Sequence, residues 1–340
     1  MAETNRAVIL QTLREQGPMS RRELTERTGL STATINRLVG ALRASSLVTE
    51  SEVGTSTGGR PPVIVQYNAA AQSVLAFDVR PDGMTGAVVD LEGAVVSREH
   101  RPIEPGDDGS MGVYEQLIGL CEELRDRAAE LGSPARAVGI GVPGVVRPDG
   151  MVEFAPALRW FAMPLGLLLA ERLGLPVLTE NNVNLLALAE HRHGAGRGVD
   201  NLAAIIIGSG VGAGLVLEGR LHRGWRGGAG EIGYMLMEPG SLRRPWPGFG
   251  DLEGRLRRSA SAETVDQVAL AVANLSVVVS PELVVLGGDL GADADLVAGG
   301  VAERLVGRIP TPPSVTVSRL AEAGLVGAAE MAVEGSSVPA

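Results

Sequence analysis

The 340-residue chain contains no lysine, a single cysteine, and only three Trp, three Tyr and four Phe. All 30 basic side chains are therefore arginine, which we read as the coding bias of a GC-rich genome rather than as chemistry. One cysteine, Cys121, excludes an intramolecular disulfide and fits a reducing compartment. It shares a helical face with Leu117, Leu120 and Leu124, which predicts a buried thiol. With 45% hydrophobic residues but 3% aromatics, the cores must be built from Ala, Val, Leu and Ile. No apolar run reaches the roughly 18 residues of a membrane span. The opening "MAETNRAVIL" lacks the basic-then-apolar pattern of a signal peptide. Together these absences predict a cytoplasmic chain with no membrane partner. The length predicts two or three domains.

The formal net charge of -10 counts against nucleic acid as a partner of the whole surface. The distribution reverses that argument locally. Residues 1–66 hold eight Arg against six Glu, so a weakly basic head sits on a strongly acidic body.

The head reads as three helices in quick succession. "NRAVILQTLREQG" places Val8, Ile9 and Leu13 on one side and stops at Gly17. In "SRRELTERTGL", Ser20 and Glu23 form a capping box, each covering an otherwise unpaired amide, and Gly29 allows a sharp turn. "STATINRLVGALRASS" spaces Ile35, Leu38, Val39 and Leu42 at i, i+3, i+4, i+7, with Ser31 as its N-cap. Two short helices joined through a glycine turn describe a helix-turn-helix. Its second helix would enter the major groove by its first turns, presenting Thr32, Ala33, Thr34, Asn36 and Arg37. Arginine suits guanine or phosphate, asparagine suits adenine, and small hydroxyls suit either. "LVTESEV" and "PPVIVQYN" then read as strands flanking "GTSTGGR", a wing with Arg60 near its tip.

From about Ser73 the texture changes. "SVLAFDVRPDGMTGAVVDLEGAVVSRE" reads as a three-strand meander, followed by a helix over about 112–131 and an apolar strand in "ARAVGIGVPGVV". "LPVLTENN", "NLAAIIIGSGVGAGLVLEG" and "PELVVLGGDLGA" repeat the plan of a strand ending in polar or glycine-rich turns. Such alternation implies α/β sheets, with ligands at the carboxyl ends of the strands.

The order and spacing of "GIGVPGVV" (139–146), "ENNVN" (180–184), "IGSGVGAGLVLEGRLHRGWRGGAGEIGYM" (207–235), "PELVVLGGDLG" (281–291) and "GLVGAAEMA" (324–332) resembles the ROK family of repressors, open reading frames and sugar kinases. The resemblance covers nearly the whole chain. It implies a winged helix-turn-helix at 1–68 followed by a two-lobed actin-like, ribonuclease H-like sugar-kinase fold. The first α/β lobe would span 73–180, with a C-terminal helix at 320–334 packing back on it. The second would span 181–319, shortened after Glu253. Repressors of this family respond to sugars such as xylose, glucose or N-acetylglucosamine derivatives.

Four departures separate this chain from the family's kinases. Their phosphate loop, D-x-G-G-T, appears here as "FDVRPDGMT", with Arg80 and Pro81 at the glycine positions; proline removes an amide donor and arginine adds bulk. Their E-N-D triplet supplies an aspartate base, but here the position is Asn182, which cannot accept a proton at neutral pH. Their zinc cluster follows G-E-I-G-H, whereas here Tyr234 replaces the histidine and no cysteine follows, so the roughly four ligands zinc needs are missing. His191 and His193 read instead as a helix C-terminus. Finally, several tens of residues are missing between Glu253 and Pro281.

No cofactor and no metal are expected. The resemblance implies sugar contacts at Gly144, Asn181, Asn182, Glu231, Tyr234 and Glu253. Arg21, Arg22 and Arg60 are expected to anchor phosphates of a double-stranded DNA operator, with Ser31 capping and Thr32, Thr34, Asn36 and Arg37 reading bases. The expected function is a sequence-specific regulator, a repressor of carbohydrate genes, acting as a homodimer or homotetramer and sensing a sugar or sugar phosphate. Two other readings stay open: a sugar kinase with an appended DNA-binding domain, and a regulator whose pocket has decayed.

Overall fold

A computed structural model describes residues 2–52, 63–103, 109–208, 210–245, 248–257 and 261–336. The chain opens with α1 (Ala2–Gln16), β1 (Met19–Ser20), α2 (Arg21–Thr28), α3 (Thr32–Ala44), β2 (Val48–Glu52) and β3 (Val63–Tyr67). The local chemistry sets the boundaries. Ser20 and Glu23 complete a capping box at the start of α2, and Gly29 ends it in the left-handed region at φ 70°. Ser31 caps α3 by accepting the Thr34 amide. Ile35, Leu38, Val39 and Leu42 of α3 are buried against Ile9, Leu13, Leu24 and Val65, each worth on the order of 1.5–3 kcal/mol in area removed from water. The three strands pair antiparallel in the order β1-β3-β2. This is a winged helix-turn-helix; the tip of the wing, including Arg60, lies outside the described residues.

The body continues as β4 (Ser73–Arg80), β5 (Gly83–Asp90), β6 (Val95–Pro102), α4 (Gly109–Glu130), β7 (Ala135–Val142), β8 (Val145–Val146), β9 (Val152–Ala155), β10 (Trp160–Met163), α5 (Leu165–Leu173), β11 (Val177–Asn181) and α6 (Asn182–His193). It ends with β12 (Leu202–Ile207), β13 (Val211–Leu217), β14 (Arg220–Leu221), α7 (Asp251–Leu256), α8 (Ser261–Val279), β15 (Leu283–Gly288), α9 (Ala294–Leu305), β16 (Ser314–Val317) and α10 (Ala323–Ser336). One five-stranded sheet has the order β11-β7-β4-β5-β6 and the other β14-β13-β12-β15-β16. Numbered from the first strand of each, both read 5-4-1-2-3: an antiparallel meander beside two parallel strands. The same plan built twice gives the two α/β lobes that the glycine-ended strands predict.

Two details differ from the sequence expectation. "ARAVGIGVPGVV" is two strands, because Pro143 and Gly144 interrupt it; Gly144 lies at φ 108° and a Cβ there would meet the Phe154 carbonyl oxygen at 2.1 Å. The short β10-β9-β8 sheet beyond this break encloses Trp160. The predicted helix at 112–131 runs from Gly109 to Glu130 and buries Cys121 with Leu117, Leu120 and Leu124. Burial pushes the Cys121 thiol well above the usual range, which keeps it an unreactive core group.

The last helix, α10, packs on β4, β7 and α6. Its approach depends on missing side chains: a Cβ at Gly139 would lie 2.0 Å from the Ala328 carbonyl oxygen, and one at Gly327 would lie 2.1 Å from that of Leu185. The head does not hang free of this body. Ile9, Leu13 and Tyr67 belong to the same apolar cluster as Val74, Leu91 and Leu325. The Leu91 amide donates to the Ala69 carbonyl at 3.4 Å, and Arg14 donates to the Leu91 carbonyl at 3.4 Å. After Glu253, α8 and α9 cover one face of the second sheet with Val268, Val272, Leu275 and Val301. The other face of α8 leaves Leu270, Val277 and Val278 exposed.

Candidate functional site

The carboxyl ends of β4, β11, β12 and β15 converge on a cleft of about 780 Å³. This is where open α/β sheets bind ligands, since only there do strand ends splay to leave polar backbone unpaired. Gly144, Asn181, Asn182, Glu231, Tyr234 and Glu253 all line it. Asn181 ends β11 and caps α6 by accepting the Val183 amide at 3.1 Å, while its Nδ2 donates to Glu231 Oε1 at 3.1 Å. Burial raises the Glu231 carboxyl to about 7, with the nearby Glu253 charge adding to the shift and the Asn181 bond opposing it. Glu253 is itself bridged to Arg257 at 2.5 Å. Tyr234 meets Phe154 edge-on with ring centroids 6.4 Å apart, giving the cleft one aromatic wall beside its carboxylates. Acceptors beside an apolar ring face are the usual chemistry for a polyhydroxylated ligand.

Beneath this layer lies a group that spacing alone did not reveal. Glu180 is 3% exposed and ion-pairs with Arg223 at 2.5 Å. Its other oxygen accepts from the Asn181 amide and from Asn184 Nδ2, each at 2.9 Å. Since β11 belongs to one sheet and Arg223 follows β14 of the other, this pair and the Asn181–Glu231 bond both cross between the lobes. Glu190, fully buried on α6, accepts the Ser318 hydroxyl at 2.5 Å and the Ala195 amide at 2.8 Å.

Asn182 faces differently from what its sequence position suggests. Its Nδ2 donates to the Val79 carbonyl at 2.8 Å. Its Oδ1 is buried without a hydrogen-bond partner, beside Gly141, where a Cβ would approach it to 2.4 Å. The amide nitrogen therefore braces α6 against β4, while the residue also lines the cleft. An aspartate would set a second acceptor against the Val79 carbonyl. Asn182→Asp should thus lose about 1–3 kcal/mol of stability in urea unfolding and gain no ATP-dependent phosphorylation of glucose. A variant as stable as the parent, or one that phosphorylates, would contradict this placement.

The neighbouring loop is also occupied from within. Buried Asp78 pairs with Arg80 at 3.0 Å through Oδ2, while its Oδ1 has no partner. Burial raises the Asp78 carboxyl, against the pull of Arg80. An Arg–Asp pair sits where a phosphate-binding loop would need free amides, and Pro81 supplies none. Among the described residues, no group of three His, Cys, Asp or Glu is placed to hold a metal. His193 contacts Glu330 at 3.3 Å near the C-terminal end of α6.

On the head, Thr32, Asn36 and Arg37 are exposed along the first turns of α3. Ser31 and Thr34 share a 2.9 Å bond between their hydroxyls within the cap. Arg22 is 88% exposed and pairs with Glu26, an i,i+4 neighbour, at 3.0 Å. Arg21 is half-buried and engaged within the head. Its Nε and Nη2 donate to Glu50 Oε1 at 2.9 and 2.6 Å, and its Nη1 donates to Asn36 Oδ1 at 2.9 Å. Glu50 also accepts from Arg43 at 2.9 Å, so one carboxylate of the wing holds arginines from both helices.

Comparison with known proteins agrees with this architecture. The ROK family model matches residues 74–248, and a winged helix-turn-helix DNA-binding model matches residues 5–49. The xylose repressor of Bacillus subtilis (strain 168) is 32% identical over 238 residues, 69% of this chain and 61% of that protein. The DNA-binding transcriptional dual regulator NagC of Escherichia coli (strain K12) is 26% identical over 254 residues, 74% of this chain and 62% of that one. The chain thus spans about three-fifths of the length of these curated relatives. Among solved structures, a ROK family transcriptional regulator described as a homolog of the E. coli MLC protein superposes with a TM-score of 0.77 at 23% identity. That match covers 99% of this chain and 96% of the other. A ROK family glucokinase from Streptomyces griseus, in complex with glucose and AMPPNP, gives 0.62 at 25% identity, covering 77% and 100%. With its doubled α/β sheets, its cleft and its winged helix, the chain belongs to the ROK family.

Proposed function

We propose that the protein is a sequence-specific DNA-binding transcriptional regulator, a repressor of carbohydrate-uptake or metabolism genes, whose kinase-derived body senses a sugar or sugar phosphate without phosphorylating it. The observation that carries this reading is the pairing of two features in one chain. A capped, exposed recognition helix belongs to a head whose apolar core runs on into the first lobe, and the position of a kinase base holds an amide tied to the Val79 carbonyl. The former favours a DNA ligand; the latter leaves no general base at that point.

Asn181 and Glu231, which bond each other across the lobes, are the groups best placed to exchange that bond for sugar hydroxyls, with Glu253 beside them and Tyr234 and Gly144 shaping the wall. A ligand that favours one spacing of the lobes shifts the equilibrium only by its differential affinity for the two states. The head shares an apolar cluster with the first lobe, so lobe movement is transmitted to it by packing. Two heads on one operator, from a homodimer or homotetramer, supply the affinity that a single short half-site lacks.

Electrophoretic and anisotropy binding of the protein to the DNA upstream of neighbouring carbohydrate genes, with and without a panel of free and phosphorylated sugars, tests the proposal. Sugar-dependent change in DNA affinity supports it, whereas robust sugar-dependent ATP turnover would replace it with the kinase reading. Arg37→Ala should weaken the preferred sequence by about 1–3 kcal/mol if the side chain reads a base; equal weakening on all sequences would place it on phosphate.

A further inference from the structure

We infer that Asn36 reads a hydrogen-bond acceptor, guanine in the first instance, and that Arg21 is the positioning residue that denies it the adenine contact its residue type suggests. The inference rests on the DNA-binding reading above. An asparagine amide reads adenine by presenting both ends at once, its nitrogen donating to N7 and its oxygen accepting from N6. Here Arg21 Nη1 donates to Asn36 Oδ1 at 2.9 Å, taking one of the oxygen's two lone pairs and setting a cation beside the other. The assignment of the two amide ends is fixed by chemistry, because a guanidinium has only donors and must face the oxygen.

Arg21 is held in that position from behind. Its Nε and Nη2 both donate to Glu50, whose side chain is 12% exposed and which also holds Arg43. The guanidinium therefore sits between the wing strand β2 and the recognition helix α3, and the outward end of Asn36 is its Nδ2. An adenine N6 amine brought to the same oxygen would approach a cation with its own donor. Guanine offers O6 and N7, two acceptors, to a patch consisting of the Asn36 amide nitrogen and the remaining Arg21 donors. Electrostatics and donor count both favour guanine there.

The test is selection of the full-length protein and its variants on a randomised double-stranded DNA library, followed by sequencing of the bound fraction. The parent should enrich guanine at a position whose preference vanishes in Asn36→Ala. Asn36→Asp, which turns the outward end into an acceptor, should move that position to cytosine, whose N4 amine donates. Arg21→Ala frees the oxygen and should move it toward adenine, with a change in base preference of roughly tenfold. Glu50 keeps Arg43 in that variant; if it nevertheless fails to fold by circular dichroism, the two Asn36 variants decide the matter alone. Adenine at the Asn36-dependent position of the parent overturns the inference. So does an Asn36→Ala consensus identical to the parent's, or a folded Arg21→Ala that binds every sequence more weakly with an unchanged consensus. No enrichment from any library overturns the DNA-binding reading itself, and the inference with it.

Discussion

Replacing Arg223 by methionine should cost the protein about 3–5 kcal/mol, more than any surface charge substitution. Two magnitudes compete. An exposed ion pair is worth about 0–1 kcal/mol, since water screens both partners, and Arg223 itself is 39% exposed. Glu180, however, is 3% exposed, so removing the guanidinium leaves a carboxylate that water cannot reach. The Asn181 amide and Asn184 Nδ2 still donate to it, but neither carries charge. The buried partner decides the cost. Because the pair joins strand β11 of one lobe to the segment after β14 of the other, the loss should also loosen the contact between the lobes. Urea unfolding of Arg223→Met, Glu180→Gln and the double variant forms a cycle. The double variant should recover much of the loss, because the uncompensated charge is gone. A loss below about 1 kcal/mol in the single variant would mean that the pair behaves as an ordinary surface bridge.

The contrast between local and distant pairings explains what the sequence disclosed. Ser20 and Glu23 cap α2 from three residues apart, and Ser31 caps α3 through the amide of Thr34. Such contacts are fixed by helix geometry, so residue spacing is enough to place them. Most strands of both sheets announced themselves by apolar runs ending in polar or glycine-rich turns, though β14 and β16 did not. Of the six expected cleft residues, Gly144, Asn181 and Asn182 sit at such strand ends, while Glu231, Tyr234 and Glu253 reach the cleft from short helices. The orientation of side chains did not announce itself. Arg21 reads as a free cation until Glu50, 29 residues on, is folded beside it. Nothing in the spacing shows that the Asn182 nitrogen goes to the Val79 carbonyl, 103 residues away. Glu180 and Arg223 are separated by 43 residues and lie on different lobes. No periodicity in the chain encodes these partners; they follow from topology, and only the folded molecule shows which donor meets which acceptor. The α8 face is a similar case. The shortening after Glu253 was visible in the sequence, but the exposure of Val277 and Val278 follows from how the remaining helix lies on its sheet.

Glu231→Gln should make the protein more stable at pH 8 while weakening the sugar binding proposed above. The Glu231 carboxyl is raised from 4.5 to about 7, first by burial and then by the charge of Glu253. Between those values the folded chain keeps a proton that the unfolded chain has released. Stability therefore falls as pH rises through that window, and the full penalty is present above about 7. A displacement of this size corresponds to roughly 3 kcal/mol. A glutamine keeps an oxygen to accept the Asn181 amide and carries no charge, so it should relieve the penalty at pH 8 and change little below about 4.5. Thermal unfolding across pH 4–9 should show the parent's curve declining toward neutrality and the variant's staying flatter; parallel curves would contradict the assignment. The same raised value makes ligand capture pH-sensitive, because an ionised carboxylate accepts two hydroxyls and a protonated one donates to one. A sugar that binds Glu231 as an acceptor should thus bind more tightly at pH 8 than at pH 6, a difference that Glu231→Gln abolishes. A cleft that is costly when empty and charged is relieved by ligand hydroxyls donating to the carboxylate. Ligand binding then stabilises the protein most where the unliganded protein is weakest, and a thermal-shift series with sugar across the same pH range should show the largest shift at the alkaline end.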